Sequence, residues 1–302
     1  MKIEDVFMRA HIGASIGFTP PDSQTTRYRH AAPSAHHEVC VQQIRSATVK
    51  VSYGETTFLV DPMLAPAKAY PGFKHTYRNH LSWPFCDLPV STFDILRDVD
   101  AVILTHLHLD HFDDYAAELL PKDMLVVVQD ASDQAQVQSF GFSNVQVMPD
   151  RMQVKGVTLT RTACQHGTDA MYADPTFSKI CGEVMGIVFQ AAGFKSTYLV
   201  ADTIWTADVA ACLEKFQPEV VILNTGHAAV TAPAVADNPY IIMGTDDVKR
   251  VHAALPQASI VCVHMDAVNH MTLSRKELNA WVRENKLTGQ VIVPFDGEQM
   301  FF

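Results

Sequence analysis

From Val39 onward the chain alternates short apolar runs with polar turns, and the runs are of strand length. Val39 to Ile44, Ala47 to Tyr53 and Thr56 to Val60 predict three strands, the last two joined through Gly54-Glu55 as a hairpin. Further strands are predicted at Ala101 to Leu104, Leu125 to Val128, Val157 to Ala163, Met185 to Gln190, Thr197 to Val200, Val220 to Leu223, Ile260 to Val263 and Val291 to Val293. Helices are expected over 112–120, 132–139, 207–216, 245–254 and 274–285. An apolar strand, a polar turn with acids or histidines and a helical stretch follow one another over Ala101 to Leu120, and again over Val220 to Leu255. Strands outnumber helices in both halves. The pattern is α/β and is satisfied by two mixed β-sheets packed face to face with helices outside.

Two stretches depart from it. Residues 1–38, including Thr19-Pro20-Pro21-Asp22 and the segment from His30 to His37, have no sustained apolar period and read as an irregular N-terminal extension. Residues 65–97 are rich in proline, histidine and aromatics, as in Tyr70, Pro71, Phe73, His75, His80, Trp83 and Pro84, and predict a long ordered loop over one end of a sheet. No low-complexity linker divides 39–302, which is expected to form one domain.

With 302 residues, 48% of them hydrophobic, the chain can bury a large core. A formal net charge of −10 argues against a nucleic-acid or anionic-membrane partner. No run approaches the roughly 20 apolar residues of a membrane span, and the charged start (Lys2, Glu4, Asp5, Arg9) does not resemble a secretory signal, so a cytoplasmic location is expected. The six cysteines contain no CxxC pair, and several, such as Cys262, lie within apolar strands, so they read as reduced core residues.

The chemistry concentrates after the apolar run Ala101 to Leu104. His106, His108, Asp110 and His111 place four potential metal ligands within six positions, with His106 and His108 two apart and Asp110 and His111 at the turn into the next helix. Neutral imidazoles and a carboxylate converging at about 2 Å are what a divalent cation requires.

This HxHxDH pattern resembles the metallo-β-lactamase superfamily, whose fold is a four-layer αββα sandwich. The resemblance implies three more ligands at the ends of later strands, and His166, Asp202 and His264 stand in those places. It further implies that His106, His108 and His166 hold one metal, that Asp110, His111 and His264 hold the other, and that Asp202 bridges them. More loosely, Ser46 to Val51 leading to Phe58-Leu59-Val60-Asp61-Pro62 resembles the branch containing L-ascorbate 6-phosphate lactonase, in which Asp61 would orient a ligand histidine; a plain Asp-Pro turn is the alternative.

The expected activity is that of a dinuclear metal-dependent hydrolase. Two divalent ions, zinc or manganese with iron also compatible, would share a water, bring its pKa towards neutrality and present hydroxide to a small ester, first among them a lactone, phosphorylated or not. Asp110 would orient the nucleophile and pass a proton to the leaving group. The rival readings are a phosphodiesterase on a small phosphodiester and a non-hydrolytic metal-binding sensor or scaffold. The implied partner is a small-molecule substrate, and a homo-oligomer is compatible with the sequence.

Other residues carry weaker signals. His270 competes with His264 as a ligand, lines the pocket, or is a helix-start histidine bonded to backbone. His227 stands where active-site loops are expected, and His75, His80 and Trp83 are candidates to cap the pocket. His11, His30, His36, His37 and His252 read as surface residues, and Cys164 as a core residue or one at the pocket edge.

Overall fold

A computed structural model describes residues 38–302 except 232–234 and 236. The expectation of an irregular extension, with His11, His30, His36 and His37, therefore lies outside the described residues apart from Glu38.

The described strands form two seven-stranded sheets. The first takes β1 (Val39–Arg45), β2 (Thr48–Tyr53), β3 (Thr56–Val60), β4 (Ala101–Ile103), β5 (Leu125–Val128) and β6 (Val145–Val147) in that order. The second takes β7 (Arg151–Val154), β8 (Val157–Ala163), β9 (Met185–Gln190), β10 (Thr197–Leu199), β11 (Val220–Asn224), β12 (Ser259–Val263) and β13 (Val291–Ile292). A last strand, β14 (Gln299–Phe301), returns to the first sheet beside β1. Each sheet is antiparallel on one side, through β1, β2 and β3 or β7 to β10, and parallel on the other, through β3 to β6 or β10 to β13.

Strand alternation decides which side chains meet. Val49, Val51, Phe58 and Val60 of the first sheet pack between the sheets against Leu159, Ile187, Phe189 and Ile222 of the second, while Leu59 and Val102 face outward. Tyr53 ties the layers by donating to Thr197 Oγ1 (2.8 Å). Outside the first sheet lie α1 (Thr92–Leu96), α2 (Asp114–Leu119) and α3 (Ala131–Ser139), which bury Ile95, Ala116 and Val137 against it. Two short helices, α4 (Asp169–Ala173) and α5 (Pro175–Cys181), pack with the long loop. Outside the second sheet lie α6 (Ala207–Phe216), α7 (Thr245–Ala254) and α8 (Arg275–Glu284), which bury Val209, Val248 and Leu278. The result is the four-layer sandwich of the metallo-β-lactamase fold.

The stretch 65–97 is ordered, as expected, but contains the helix α1 and a core of its own. Trp83 is fully buried against Tyr70 (ring centroids 4.8 Å) and Phe73 (4.7 Å), so it is a packing residue and not a pocket cap. His80 is exposed and His75 half-buried. The loop packs against the segments following β11 and β12, which puts it at the carboxyl ends of the parallel strands. Ligands of open α/β sheets bind at such ends. All six cysteines are free thiols, and Cys164 packs on the inter-sheet core with its Sγ 3.2 Å from Val200 O. No described helix is long and apolar enough to cross a membrane.

Candidate metal centre

Each singled-out side chain leaves the sheets at one edge. Asp61 follows β3, His106 to His111 follow β4, His166 follows β8, Asp202 follows β10 and His264 follows β12. His106 and His108 are brought together by the turn after β4, not by strand alternation, because β4 ends at Ile103 and both His111 N and Phe112 N donate to His108 O. The turn runs into α2, which Asp113 caps: its Oδ1 accepts from Ala116 N of the helix and its Oδ2 from Ala65 N of the long loop, both at 2.7 Å. One carboxylate thus joins the ligand turn to the start of the long loop.

The seven candidate ligands come together. The donor atoms of His106, His108 and His166 lie within 4.8 Å of one another, as do those of Asp110, His111 and His264, and those of His106, His111 and Asp202. Asp202 Oδ2 lies 3.1 Å from His111 Nε2, 3.5 Å from His264 Nε2 and 3.7 Å from His166 Nε2, between the two triads. Six of the seven are buried, and His108 is half-buried.

Their outward partners decide what these histidines can do. His166 Nδ1 lies 2.9 Å from Ile241 O, His108 Nε2 2.8 Å from Ile180 O, and His111 Nδ1 2.8 Å from Asp61 Oδ2, each an acceptor that demands an N–H. Thr105 Oγ1 donates to Asp61 Oδ2 (2.7 Å), so it accepts from His106 Nδ1 at 3.1 Å. Three imidazoles, those of His106, His108 and His166, therefore turn bare nitrogen lone pairs inward, while His111 is held between two carboxylates. His106 Nε2 faces His108 Nδ1 at 3.0 Å, and His111 Nε2 faces a carboxylate oxygen of Asp202. Two lone pairs that close repel. A proton could settle one such pair, but a divalent cation settles the set, and the residues fit one.

The electrostatics agree. Burial holds the proton affinities of His106 and His108 below the ordinary value, and pushes His166 down to about 4. Burial works against the charge of Asp202 and Asp110 too, but the surrounding histidines outweigh it, led by His111, and both stay below the usual carboxylate range. At His111 burial is in turn outweighed by Asp202 and Asp61, which hold its proton affinity well above the ordinary value.

Further residues complete the centre. Asp61, 1% exposed and at φ 47°, accepts from Thr105 N (2.8 Å), Thr105 Oγ1 and His111 Nδ1, so it is more than a turn residue. Asn224, closing β11, donates to Asp202 Oδ1 at 2.6 Å. Ser46, in the β1–β2 turn, has Oγ 2.8 Å from His264 Nδ1 and its carbonyl accepts from His264 N. Neither was singled out above, and the only trace of them in the sequence is a polar residue ending an apolar run. Ala201 and His264 hold φ of 62° and 63°, a left-handed conformation costly for L-residues that aims the side chains after β10 and β12 inward. Gly226 runs so close that a Cβ there would come 2.1 Å from His264 O. His227 stacks on Tyr240 (centroids 3.5 Å apart, planes at 11°), and burial holds its proton affinity below the ordinary value against the opposing pull of Asp247 and Asp246 of α7. His270 is buried beside the centre with Nε2 3.7 Å from Asp110 Oδ2, yet belongs to none of the converging groups among the described residues; His264 does.

A mixed sandwich with histidines and aspartates gathered at the strand ends defines the class, and the chain belongs to the Beta-lactamase superfamily, whose domain it matches over residues 56–265. It is thereby a member of a superfamily of metal-dependent hydrolases. It is 40% identical over 262 residues to the UPF0173 protein YddR of Bacillus subtilis (strain 168), covering 87% of this chain and 99% of that one. Among solved structures it is similar to a possible metal-dependent hydrolase from Veillonella parvula DSM 2008 (TM-score 0.84, 41% identity, 88% of this chain and 99% of that chain). It is also similar to an isothiocyanate hydrolase from Delia radicum gut bacteria (TM-score 0.83, 40% identity, 87% and 99%).

Proposed function

We propose that the chain hydrolyses a small neutral electrophile, an isothiocyanate before a lactone, at a dinuclear centre. His106, His108 and His166 hold one metal, Asp110, His111 and His264 the other, and Asp202 is shared. The observation that carries the reading is the set of inward imidazole lone pairs converging with two carboxylates at one edge of both sheets. Nitrogen and oxygen donors alone suit zinc or manganese, and also iron. The likeness to an isothiocyanate hydrolase over nearly all of that chain supports the first substrate, and the resemblance of the Asp61 segment to the lactonase branch supports the second. A phosphate-bearing substrate is disfavoured. Among the described residues Arg45 is the buried cationic side chain, and its guanidinium is held by the carbonyls of Cys86, Met63 and Ala65. Arg78 likewise donates to Asn269 O and Met271 O.

Bound divalent ions would lower the pKa of water at the centre and polarise the group under attack. Asp110, held ionised, takes a proton from the attacking water as its oxygen bonds to the central carbon of R–N=C=S. The displaced C=N electron pair moves to nitrogen, which receives that proton. In the thiocarbamic acid so formed the remaining O–H proton passes to nitrogen as the C–N bond breaks, which gives an amine and carbonyl sulfide.

The test is a metal count on the purified protein together with turnover of allyl and benzyl isothiocyanate, a set of lactones and bis-p-nitrophenyl phosphate, before and after chelation. Two metals per chain and chelator-sensitive release of amine and carbonyl sulfide are expected. Turnover of lactones alone would install the second substrate, and turnover of the phosphodiester alone would install a phosphodiesterase. Two metals with no turnover would favour a sensor or scaffold, and a metal-free protein indifferent to chelators would end the reading.

A further inference from the structure

We propose that His270 is a catalytic residue that binds the substrate's heteroatom through its Nε2–H, next to Asp110, and that the long loop serves to hold it there. The proposal rests on the hydrolase reading above and adds to it a residue outside the metal-donor set.

His270 is 2% exposed, with Nε2 3.7 Å from Asp110 Oδ2 and its ring edge-on to Phe73 (centroids 5.1 Å apart, planes at 85°). Facing a carboxylate oxygen, Nε2 carries the proton, since a bare lone pair there would repel it. The 3.7 Å separation is too long for a direct hydrogen bond and admits a third polar atom about 2.9 Å from both groups. Nitrogen of a bound isothiocyanate, the atom that gains charge as water adds to carbon, matches that position.

The backbone around His270 is fixed from several sides. Arg78 donates to the carbonyls on either side of it, Nε to Asn269 O (3.2 Å) and Nη2 to Met271 O (2.7 Å). The Asn269 side chain accepts from Phe73 N (3.0 Å) and donates to Thr76 Oγ1 and Tyr77 O (both 2.9 Å). From the other side, His270 O accepts from Ala229 N (3.0 Å). Polar fastening of this density is costly to bury unless position matters, and an apolar residue would fill the same space more cheaply.

The proton that nitrogen gains comes from water through Asp110, and His270 keeps its own throughout. Its part is to stabilise the charge building on nitrogen, as a fixed donor does in an oxyanion hole.

The test uses the metal-loaded full chain with allyl isothiocyanate, comparing wild type with His270→Phe, His270→Asn and His270→Gln, and reading kcat and KM separately with metal content and melting temperature. His270→Phe keeps the packing on Phe73 and is expected to lower kcat about 10²–10³-fold, with both metals retained and KM within a few-fold. His270→Asn is too short to reach and is expected to behave alike, which covers the case of a ring variant that does not fold. His270→Gln restores an N–H donor and should recover about tenfold of the loss. An active wild type with unchanged kcat in the Phe and Asn variants overturns the proposal alone. Activity lost in step with one metal also overturns it, by making His270 a ligand. A wild type inert towards the whole substrate panel overturns this proposal and the hydrolase reading together.

Discussion

The two triads of the centre, three histidines in His106, His108 and His166 and two histidines with a carboxylate in Asp110, His111 and His264, are also held by different means. In the outer one, His108 is half-buried, and His108 and His166 point their outward N–H groups at backbone carbonyls, Ile180 O in α5 and Ile241 O. In the inner one, His111 and His264 are fully buried, and His111 is backed by the carboxylate of Asp61, itself fixed by Thr105. A carboxylate behind an imidazole makes the ring a stronger donor than a neutral carbonyl does. The inner position is therefore expected to hold its ion more tightly, and the outer position, nearer to solvent, to exchange first.

The largest expected effect erases the comparison by removing what the triads share. Asp202→Ala takes away the carboxylate that lies within 3.1–3.7 Å of His111, His264 and His166. Both metals should be lost or scrambled and kcat/KM should fall by about 10⁴-fold or more, since water activation and substrate polarisation fail together. Metal analysis and steady-state kinetics on one preparation check this, and near-normal activity would show that Asp202 is not shared.

The next effect tests the difference itself. Asp61→Asn removes the charge behind His111 while leaving a side chain of nearly the same shape. Metal affinity at the inner triad should fall about 10–100-fold. Chelator titration of wild type should remove the ions in two steps, outer first, and in Asp61→Asn the steps should merge or exchange order. An unchanged two-step profile would mean that burial, not the carboxylate, sets the ranking.

How much of this was legible depends on how local each signal is. The first-sheet half of the centre sits within six residues after one apolar strand, so spacing alone exposed it. His166, Asp202 and His264 are single residues that end strands, and only the resemblance to a known family selected them from other polar residues in such places. Ser46 and Asn224 were missed because their roles exist only across the fold: Ser46 meets a histidine 218 residues away through a left-handed turn at φ 55°. Among the elements, long interior runs such as β8, β11 and β12 were found, whereas β6, β7 and β14 were not. These lie at or beside sheet edges and are short or polar, as in Val145-Gln146-Val147, so they lack the apolar pattern that betrays a strand. The short helices α4 and α5 were missed for the same reason, being too brief to show a helical period.

Ser46→Ala gives a smaller effect on the inner side. The hydroxyl is a neutral partner to His264 Nδ1, and its loss leaves the backbone bond from His264 N to Ser46 O in place. A loss of about 1 kcal/mol, near fivefold in inner-metal affinity, is expected by the same titration. A loss as large as that in Asp61→Asn would show that any partner behind the imidazole matters equally, and the comparison would lose its basis.

The smallest effect probes the outer side through the helices the sequence did not reveal. Tyr172 in α4 accepts from His166 N (3.1 Å) and donates to Gly182 O (2.8 Å), and Ile180 of α5 supplies the carbonyl that orients His108. The α4–α5 pair is thus fastened to two of the three outer histidines, His108 and His166, which follow different strands. Tyr172→Phe keeps the ring and removes the hydroxyl, leaving a backbone amide and a carbonyl to find other partners, at a cost of about 1 kcal/mol. Melting should fall by about 2 °C, and the outer ion should leave a few-fold sooner while the inner step stays fixed. If melting falls and the outer ion's affinity does not, the helix pair is only a cover. If both fall together, the outer triad owes part of its grip to a segment that is not itself a ligand, as a looser outer position would require.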